Sequence, residues 1–534
     1  MKFILGLIHK VLGQRPLVLL AILVLAFLLR VTGYNWGGGQ LLHSDEQFIT
    51  EPAYWMALKN TSDPGNYMRP AHWSIYIHHF LYKSVSKAIL YQPLESIYPS
   101  YRSFFTYLSR IISAFWGTVL VLVVFHLGNK LKEGVGWISA LISAIFISYI
   151  THSHYVTPDI SLALLISLAM LMSLKYFESG NWKYLITLSV FLAWSVGEKY
   201  PGLLIAVFIG VHILLVSLKG SSGLTTNRWK RLGFLTFGTV AFLFLSTPFL
   251  IINIDQVLNS FINESRNTHL GADGLGWGGN LIFYLTNCLE YFGLVFCVFI
   301  VVGIFQFKNL EKNKWLVICY PLLYILILSK LSLHWERWEV PFYVFPILVG
   351  SLGVYNIYEW SKTNIQRAFT ILIICIPVFH LLLQDCEKLT YFLAKSNTIA
   401  ISQNYCKDNG IFPKNSLYDS YTPFAPKGRF EFDLQKAYRD SVYMRDKKFI
   451  ILSSGVYNLV FSSGTAKDQS YQFYSELLKK NAPYKIFKPN EPKPNMAFRF
   501  FEFSQMVSNF KFLKSIWIDK TPYVTGNEIL IIKR

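Results

Sequence analysis

The residues best able to do chemistry in this sequence are charged and histidine side chains that interrupt long apolar runs. They form four groups, at residues 43–46, 152–159, 198–200 and 334–339. An ionisable group at membrane depth is costly to bury and is a functional candidate by default. Lysine and arginine bind phosphate, and a carboxylate can take the proton of a hydroxyl nucleophile. Together the four groups suit an anionic substrate with an apolar body.

Each group also has a purely structural interpretation. Asp45 can begin a helix, and Pro158 followed by Asp159 fits a helix start, because acids favour the first turn. Glu198 and Lys199 can form an ion pair that satisfies itself. The fourth group can be an aromatic belt with snorkelling charges. A shared site is favoured if all four groups lie on the same face of a membrane.

The composition is that of a membrane protein. Of the 534 residues 53% are hydrophobic, the mean hydropathy is +0.35, and 15% are charged, against about 25% in soluble domains. The net charge of +19 is spread in short clusters between apolar runs. It therefore predicts contact with membrane lipid and excludes a nucleic-acid-binding face.

Apolar stretches of spanning length recur through the first 385 residues. Eleven transmembrane helices are predicted, at 16–33, 110–128, 135–151, 159–177, 184–198, 201–218, 232–252, 281–305, 315–332, 340–358 and 367–385. Lysine and arginine concentrate in every second loop, so those loops are predicted to face the cytoplasm. The amino terminus then lies inside, and the four charged groups lie outside. The first apolar run lacks a convincing cleavage site and is predicted to be retained.

Two domains are predicted. Residues 1–385 form the transmembrane domain, whose first outer loop (34–109) is rich in aromatic residues and suits interfacial helices. Residues 386–534 form a soluble α/β domain outside, with strands near 449–452 and 528–532 and an amphipathic helix near 468–481. Cys386 and Cys406 flank the exit of the last apolar segment and can pair if that side is oxidising.

The order of these residues resembles that of the type C glycosyltransferases of the protein O-mannosyltransferase and aminoarabinose transferase family. The matching features are the acidic pair Asp45-Glu46 after the first helix, Arg110 leading the second span, Asp159 opening the fourth, Lys199-Tyr200, and Arg337-Trp338 ahead of Pro341. The likeness covers nearly the whole chain. It implies a polytopic α-helical fold of this type that ends in a soluble domain.

The resemblance also implies an activity and a set of roles. The activity is inverting transfer of a sugar from a polyprenyl-phosphate donor to a hydroxyl or amine. Asp45 is then the base, Glu46 orients Asp45 or the acceptor, and Asp159 positions the sugar. Lys199 and Arg337 hold the donor phosphate. Further candidates are His334 and Arg69 for phosphate, and His43, His152, His154 and Tyr200 for the pocket.

No metal or other cofactor is assigned, because two cations can stabilise a leaving phosphate without one. His152 and His154 are a weak candidate pair for a divalent metal. The acceptor is left open as protein, lipid or glycan. The predicted location is a bacterial inner membrane, with the amino terminus cytoplasmic and the carboxy-terminal domain periplasmic.

Two other functions fit the same charges. A ligase that attaches a whole glycan from a lipid-linked donor uses the same cations. A transporter or flippase also buries Lys, Asp and Arg, but carriers usually show two similar halves with a site near the midplane. The sequence shows no such halves, and its charges are biased toward one membrane side.

Overall fold

The computed structural model describes residues 15–39, 43, 45–67, 71–215, 225–264, 275–331, 334–425, 434–463, 469–490 and 502–534. Up to residue 393, all the regular secondary structure of the described residues is helical. Its helices are α1 (Arg15–Val31), α2 (Gln47–Leu58), α3 (His72–Ala88), α4 (Leu94–Ile97), α5 (Arg102–Leu131), α6 (Val135–Ala144), α7 (Ile147–Ser153), α8 (Pro158–Ser179), α9 (Trp182–Glu198), α10 (Gly202–Leu215), α11 (Thr225–Ser246), α12 (Phe249–Ile252), α13 (Ile254–Glu264), α14 (Gly276–Gln306), α15 (Leu316–Leu328), α16 (Val344–Trp360) and α17 (Asn364–Leu393).

Every predicted apolar segment coincides with a helix or a bent helix pair. Among the described residues, α5, α8, α14 and α17 are each long and apolar enough to cross a membrane. Helices α6 and α7 pass the same test only together, and they are bent by 53° where they meet. Helix α11 has 22 residues but does not pass the test, and the other apolar helices have 17 residues or fewer. The polytopic character agrees with the sequence analysis, while the count of eleven spans stays a prediction.

Local sequence signals begin and end the helices that carry the charged groups. Pro158 occupies the first turn of α8, where its missing N–H costs nothing. The helix ends at Gly180, whose φ of 67° is the left-handed conformation that glycine adopts most easily. Asn181 then caps α9 by accepting a hydrogen bond from the Lys183 N–H. These signals fix where α8 and α9 begin and end. They thereby fix the positions of Asp159 and Lys199, which lie at the ends that face the first outer loop.

Helices α14 and α16 touch through their backbones. A Cβ added at Gly303 would overlap the carbonyl oxygen of Val349, and one at Gly353 would overlap that of Phe299. Small residues allow this close approach, which is common between helices in membranes. The pair supports the loop before α16, which belongs to the fourth charged group.

The first outer loop has its own small core. Helices α2, α3 and α4 pack together and against the start of α5, burying Ile49, Ala53, Ile75, Tyr82 and Phe105. The predicted helices of this loop are therefore present. Their burial against each other shows that the loop is a packed layer on one end of the bundle.

The chain after α17 combines strands and helices. Its strands are β1 (Ser396–Asn397), β2 (Ser416–Tyr418), β3 (Phe449–Ser453), β4 (Lys485–Phe487), β5 (Val524–Thr525) and β6 (Ile529–Lys533). Its helices are α18 (Thr398–Asp408), α19 (Leu434–Arg439), α20 (Ser441–Met444), α21 (Ser454–Ser463), α22 (Gln469–Lys480) and α23 (Glu502–Trp517).

Four of the strands form a mixed sheet in the order β2-β3-β6-β4. Strand β2 is parallel to β3, whereas β6 runs antiparallel to both β3 and β4. Separately, β1 pairs in parallel with β5. The predicted strands and the helix α22 are present, while a soluble domain stays a prediction. Cys386 is exposed and Cys406 is buried, and both are free thiols, so the disulfide considered from the sequence is not formed.

Candidate functional site

The first charged group contacts the fourth through an ion pair. Asp45 lies in the turn before α2 and is buried, and its Oδ2 pairs with Nη1 of Arg337. Arg337 sits on a 3-10 turn, Glu336–Glu339, between α15 and α16. Its Nε has no hydrogen-bond partner among the described residues. Arg337 therefore pairs with one carboxylate through Nη1, and its Nε can still donate a hydrogen bond to an anion.

The second group contacts the third in the same way. Asp159 is the second residue of α8, and Lys199 follows the last residue of α9. The Lys199 Nζ lies 2.6 Å from Asp159 Oδ1, while the Asp159 side chain is only 2% exposed and that of Lys199 is 20% exposed. The buried Asp159 carboxylate thus holds the partly exposed Lys199 ammonium at the end of α9.

His43 lies within electrostatic reach of both ion pairs. The charges of Asp159 and Arg337 act on its imidazole, which stacks on Tyr155 with the ring centroids 4.3 Å apart. Burial lowers the pKa of His43 to about 4, so the ring is neutral at pH 7. His43, itself in the first group, therefore lies near members of the second and fourth groups, and the third group joins them through the Lys199–Asp159 pair.

His152 joins the same cluster from α7. The charges of Asp159, Lys199 and His43 act on its ring, which is buried. Its Nδ1 has no hydrogen-bond partner in the part of the chain that the structure describes. A buried imidazole nitrogen without a partner is costly, so this atom is available to a ligand.

Glu46 points away from Asp45 although the two are adjacent in sequence. Its carboxylate accepts two hydrogen bonds of 2.8 Å from the Nε and Nη2 of Arg110, and both side chains are fully buried. Arg110 also donates to the carbonyl oxygen of Trp36 at 2.8 Å, and the Val156 N–H donates to Glu46 Oε1 at 3.3 Å. Glu46 thereby ties the turn before α2 to α5 and to the loop before α8.

Glu198 does not pair with Lys199. Its Oε2 accepts from the Ser74 N–H at 3.0 Å, its Oε1 accepts from the Ser74 hydroxyl at 2.6 Å, and the Ser161 hydroxyl also donates to it. The interpretation of residues 198–199 as a self-satisfied ion pair is therefore wrong. Glu198 instead links α3 of the first outer loop to α8 and α9. Lys199 pairs with Asp159.

A cavity of about 370 Å³ lies beside His43, between the helical bundle and the carboxy-terminal region. On one side lie His43, Tyr155 and Lys388, and on the other lie Tyr421 and residues 525–527. A volume of this size falls in the range of small-ligand sites, about 300–1,000 Å³. The cavity gives a substrate room beside His43 and Tyr155.

The other predicted residues lie apart from this cluster or outside the described residues. Both ring nitrogens of His154 face backbone carbonyl oxygens, at 2.8 and 2.7 Å, and the ring stacks on Phe392. The Tyr200 hydroxyl donates to the Tyr67 carbonyl oxygen. His334 packs against Phe283 with the ring centroids 4.5 Å apart. Arg69 lies outside the described residues.

The sequence analysis missed Lys388. This residue lies on the last turns of α17 and lines the cavity, and its charge acts on both His152 and Glu336. It follows the last apolar run directly, so it was counted with the tail. One signal could have identified it. Glu387 and Lys388 are adjacent charges just beyond a span that ends near the other charged groups.

The described residues hold no group of three His, Cys, Asp or Glu side chains that could hold a metal ion. The two carboxylates of the cluster are each paired with a cation of the chain, Asp45 with Arg337 and Asp159 with Lys199. Within the described part of the chain, these side chains are therefore not arranged as a metal site.

One protein family matches part of the chain. The family described as dolichyl-phosphate-mannose-protein mannosyltransferase matches residues 107–251, a segment that includes Arg110, Asp159 and Lys199. The resemblance drawn from the sequence is thereby confirmed. No protein of curated function matches the chain in sequence.

Solved structures extend the likeness to nearly the whole chain. Archaeal oligosaccharyltransferase AglB from Archaeoglobus fulgidus, in complex with an inhibitory peptide and a dolichol-phosphate, has a TM-score of 0.54 and 10% identity, covering 97% of this chain and 88% of its own. ArnT from Cupriavidus metallidurans in the apo state has a TM-score of 0.50 and 12% identity, covering 85% and 95%. At such identities the likeness shows the fold alone, which is that of a type C membrane glycosyltransferase.

Proposed function

We propose that this protein is an inverting glycosyltransferase that moves a sugar from a polyprenyl phosphate to an acceptor on the outer face of a bacterial inner membrane. The observation that carries the proposal is the meeting of two carboxylate–cation pairs, Asp45–Arg337 and Asp159–Lys199, around His43. The family match over residues 107–251 supports the reaction class. AglB was solved with a dolichol-phosphate, and this supports a lipid phosphate as the donor.

Donor binding rearranges these pairs. The phosphate of the donor competes with Asp45 and Asp159 for Arg337 and Lys199, since cations bind phosphate by charge-assisted hydrogen bonds. The unpartnered Nε of Arg337 gives the phosphate a first contact before the pair opens. Asp45, released from its cation, then becomes a stronger base at the moment the donor is in place.

The transfer is a single displacement at the anomeric carbon. An acceptor hydroxyl or amine attacks that carbon from the face opposite the phosphate, and Asp45 takes its proton. The bond between the anomeric carbon and the phosphate oxygen breaks, and its electron pair leaves with the phosphate. Arg337 and Lys199 stabilise the charge that develops there. Asp159 supports the positive charge that builds on the sugar ring.

The remaining residues act by position. Glu46 and Arg110 hold the turn that carries Asp45, so Glu46 is a positioning residue in this scheme. The free Nδ1 of His152 suits a sugar hydroxyl or a phosphate oxygen. His334 and Arg69 stay candidates for the phosphate, and Tyr200 and His154 for the walls of the pocket.

The acceptor enters through the cavity beside His43. Its walls combine aromatic faces with charged and amide groups, which suit an acceptor that presents hydroxyls or amines. Whether that acceptor is a protein, a lipid or a glycan is left to experiment.

The test uses the full chain reconstituted in liposomes with a radiolabelled undecaprenyl-phosphate hexose and bacterial envelope extract as the acceptor source. We expect Asp45→Asn to abolish transfer while the protein still inserts and unfolds at the wild-type temperature. The matched control is Glu178→Gln, which removes a paired carboxylate at the opposite end of the bundle. Normal turnover by Asp45→Asn would remove the base, and uptake of label without transfer would favour a transporter.

A further inference from the structure

Helix α23, in the predicted soluble region, carries an apolar face that nothing in the described structure covers. Phe503, Val507 and Phe510 repeat at helical spacing on that face, and Trp517 and Ile518 at the end of the helix are also exposed. Phe503 is 79% exposed, and Phe510 and Trp517 are each 59% exposed. An exposed apolar stripe of this size marks a surface that has a partner.

The opposite face of α23 is packed against membrane helices. Gln505, Asn509 and Phe512 are buried there, and the helix lies against α17 and α14, both of which are long and apolar enough to cross a membrane. Gln384 of α17 donates to Gln505 Oε1 at 3.4 Å, and the Trp517 indole N–H donates to the Thr390 hydroxyl at 3.0 Å. The helix is therefore held at a defined height on α17.

That height corresponds to the edge of a bilayer whose hydrocarbon core begins at Ile365, the first exposed apolar residue of α17. The hydrocarbon core is about 30 Å thick, or about 20 helical residues, so a core that begins near Ile365 at one end of α17 ends near Gln384. Thr390 then lies about 9 Å further out. Phe503 and Gln505 thus sit at the hydrocarbon boundary, and Trp517 sits in the headgroup layer.

The side chains of α23 follow this depth. The end of the helix at the boundary exposes phenylalanine, whereas the end further out exposes Lys511, Lys514 and Trp517. Lysine and tryptophan are the residues that favour headgroups. Just below this contact, α17 exposes the apolar side chains of Phe379 and Leu382, so exposed apolar surface lies next to the boundary end of α23.

We propose that α23 is a membrane-docking helix that lies in the outer interfacial layer, with its exposed apolar face in lipid. The partner is the bilayer itself, because the stripe begins beside the exposed apolar residues of a helix long enough to cross a membrane and ends in headgroup-type residues. The carboxy-terminal region is then attached to the membrane at two places, through the end of α17 and through α23. The proposal does not depend on the transfer reaction.

The test is the depth of spin labels in bilayers of phosphatidylethanolamine and phosphatidylglycerol. Single cysteines are placed at Phe503 and Phe510 in the full chain with its six cysteines replaced by serine or alanine. The controls are Leu372, which is exposed in the middle of α17, and Val442, an exposed apolar residue of the carboxy-terminal region away from α23.

We expect the labels at 503 and 510 to collide with oxygen several-fold more than with a water-soluble nickel complex, as at 372. The label at 442 should show the reverse. Nickel accessibility at 503 and 510 equal to that at 442 would overturn the proposal. Protection from both reagents, with spin–spin broadening that grows with protein density, would mean that a second copy covers the face, and this also overturns it.

A second measurement leaves the native cysteines in place. The photoreactive residue p-benzoylphenylalanine is introduced at Phe510 or, as the control, at Val442, and irradiated proteoliposomes are analysed by mass spectrometry. Phospholipid adducts at 510 and none at 442 are expected. Adducts at 510 with protein only, or no adducts at either position, would count against a lipid environment.

Discussion

The two ends of the helical bundle use the same ion-pair chemistry in different surroundings. At the end covered by the first outer loop, Glu46 and Arg110 are fully buried and bidentate. At the opposite end, Glu178 pairs with Lys130 while 29% and 32% of the two side chains stay exposed. Water screens the exposed pair and side-chain entropy opposes it, whereas the buried pair has no solvent to replace a lost partner. Burial, rather than the type of ion pair, therefore decides how much each pair contributes to stability.

Removing the buried cation should have the largest effect on stability. Arg110→Met leaves Glu46 charged and without its two guanidinium donors, which costs about 3–5 kcal/mol for a buried pair. We expect a large fall in the unfolding temperature of the purified protein in detergent. The double variant Arg110→Met with Glu46→Gln should recover part of the loss. A single variant as stable as the wild type would show that water reaches this pair.

A buried carboxylate that pairs with no cation of the described residues sharpens the comparison. Asp419 follows β2 and is bonded to the Tyr474 hydroxyl and the Ser420 N–H, and burial raises its pKa to about 6 from an ordinary value of 3.8. Because the folded pKa is the higher one, the stability it contributes is present below pH 4 and is lost as the pH rises through 6. The change amounts to about 3 kcal/mol at most, at about 1.4 kcal/mol for each pKa unit.

This pH dependence can be measured by hydrogen exchange of peptides around β2 in the full-length protein, corrected for intrinsic exchange rates. We expect protection to fall between pH 4 and pH 7 in the wild type. In Asp419→Asn the fall should disappear, because the side chain no longer titrates. An unchanged pH profile in that variant would assign the effect to another group.

The cations that stay partly exposed should affect ligand binding more than folding. Arg337→Ala and Lys199→Ala each remove a charged hydrogen bond to phosphate, worth about 1.5–3 kcal/mol, so affinity for undecaprenyl phosphate should fall about 10- to 100-fold. Titration calorimetry in detergent measures this, with Lys388→Ala tested beside them as a third cation. Unchanged affinity in both variants would remove the phosphate site.

The exposed pair should have the smallest effect. Lys130→Met is expected to change stability by about 1 kcal/mol or less, as for other solvent-exposed pairs, and to leave phosphate affinity unchanged. The same melting and titration experiments measure both. A loss as large as that of Arg110→Met would mean that burial is not what separates the two ends.

The sequence predicted the helices well, because long apolar runs leave few alternatives. It also identified Asp45, Asp159, Lys199 and Arg337 as candidates, because charges next to spans are rare and costly. It placed both Asp45 and Glu46 at the candidate site, whereas the structure brings only Asp45 to Arg337. Asp45 and Glu46 look alike in sequence, and only packing shows that one meets Arg337 while the other meets Arg110.

Pairing between distant residues was hidden for the same reason. The sequence suggested Lys199 as the partner of its neighbour Glu198, but the end of α9 turns the two side chains in opposite directions, toward Asp159 and toward Ser74. Lys388 was missed because a span boundary was treated as a change of domain. The number of spans depends on bent and short helices, whose role hydropathy alone does not fix.

The glycine contact between α14 and α16 has a mechanical consequence. Since backbone meets backbone at Gly303 and Gly353, no side chain there can change rotamer to let one helix slide past the other, and the two must shift as one unit. Arg337 lies in the loop that leads into α16, which begins at Val344. Gly353 lies nine residues, or about 14 Å, further along that helix. A single added methyl group at Gly353 would therefore displace α16 and, with it, the loop that carries Arg337.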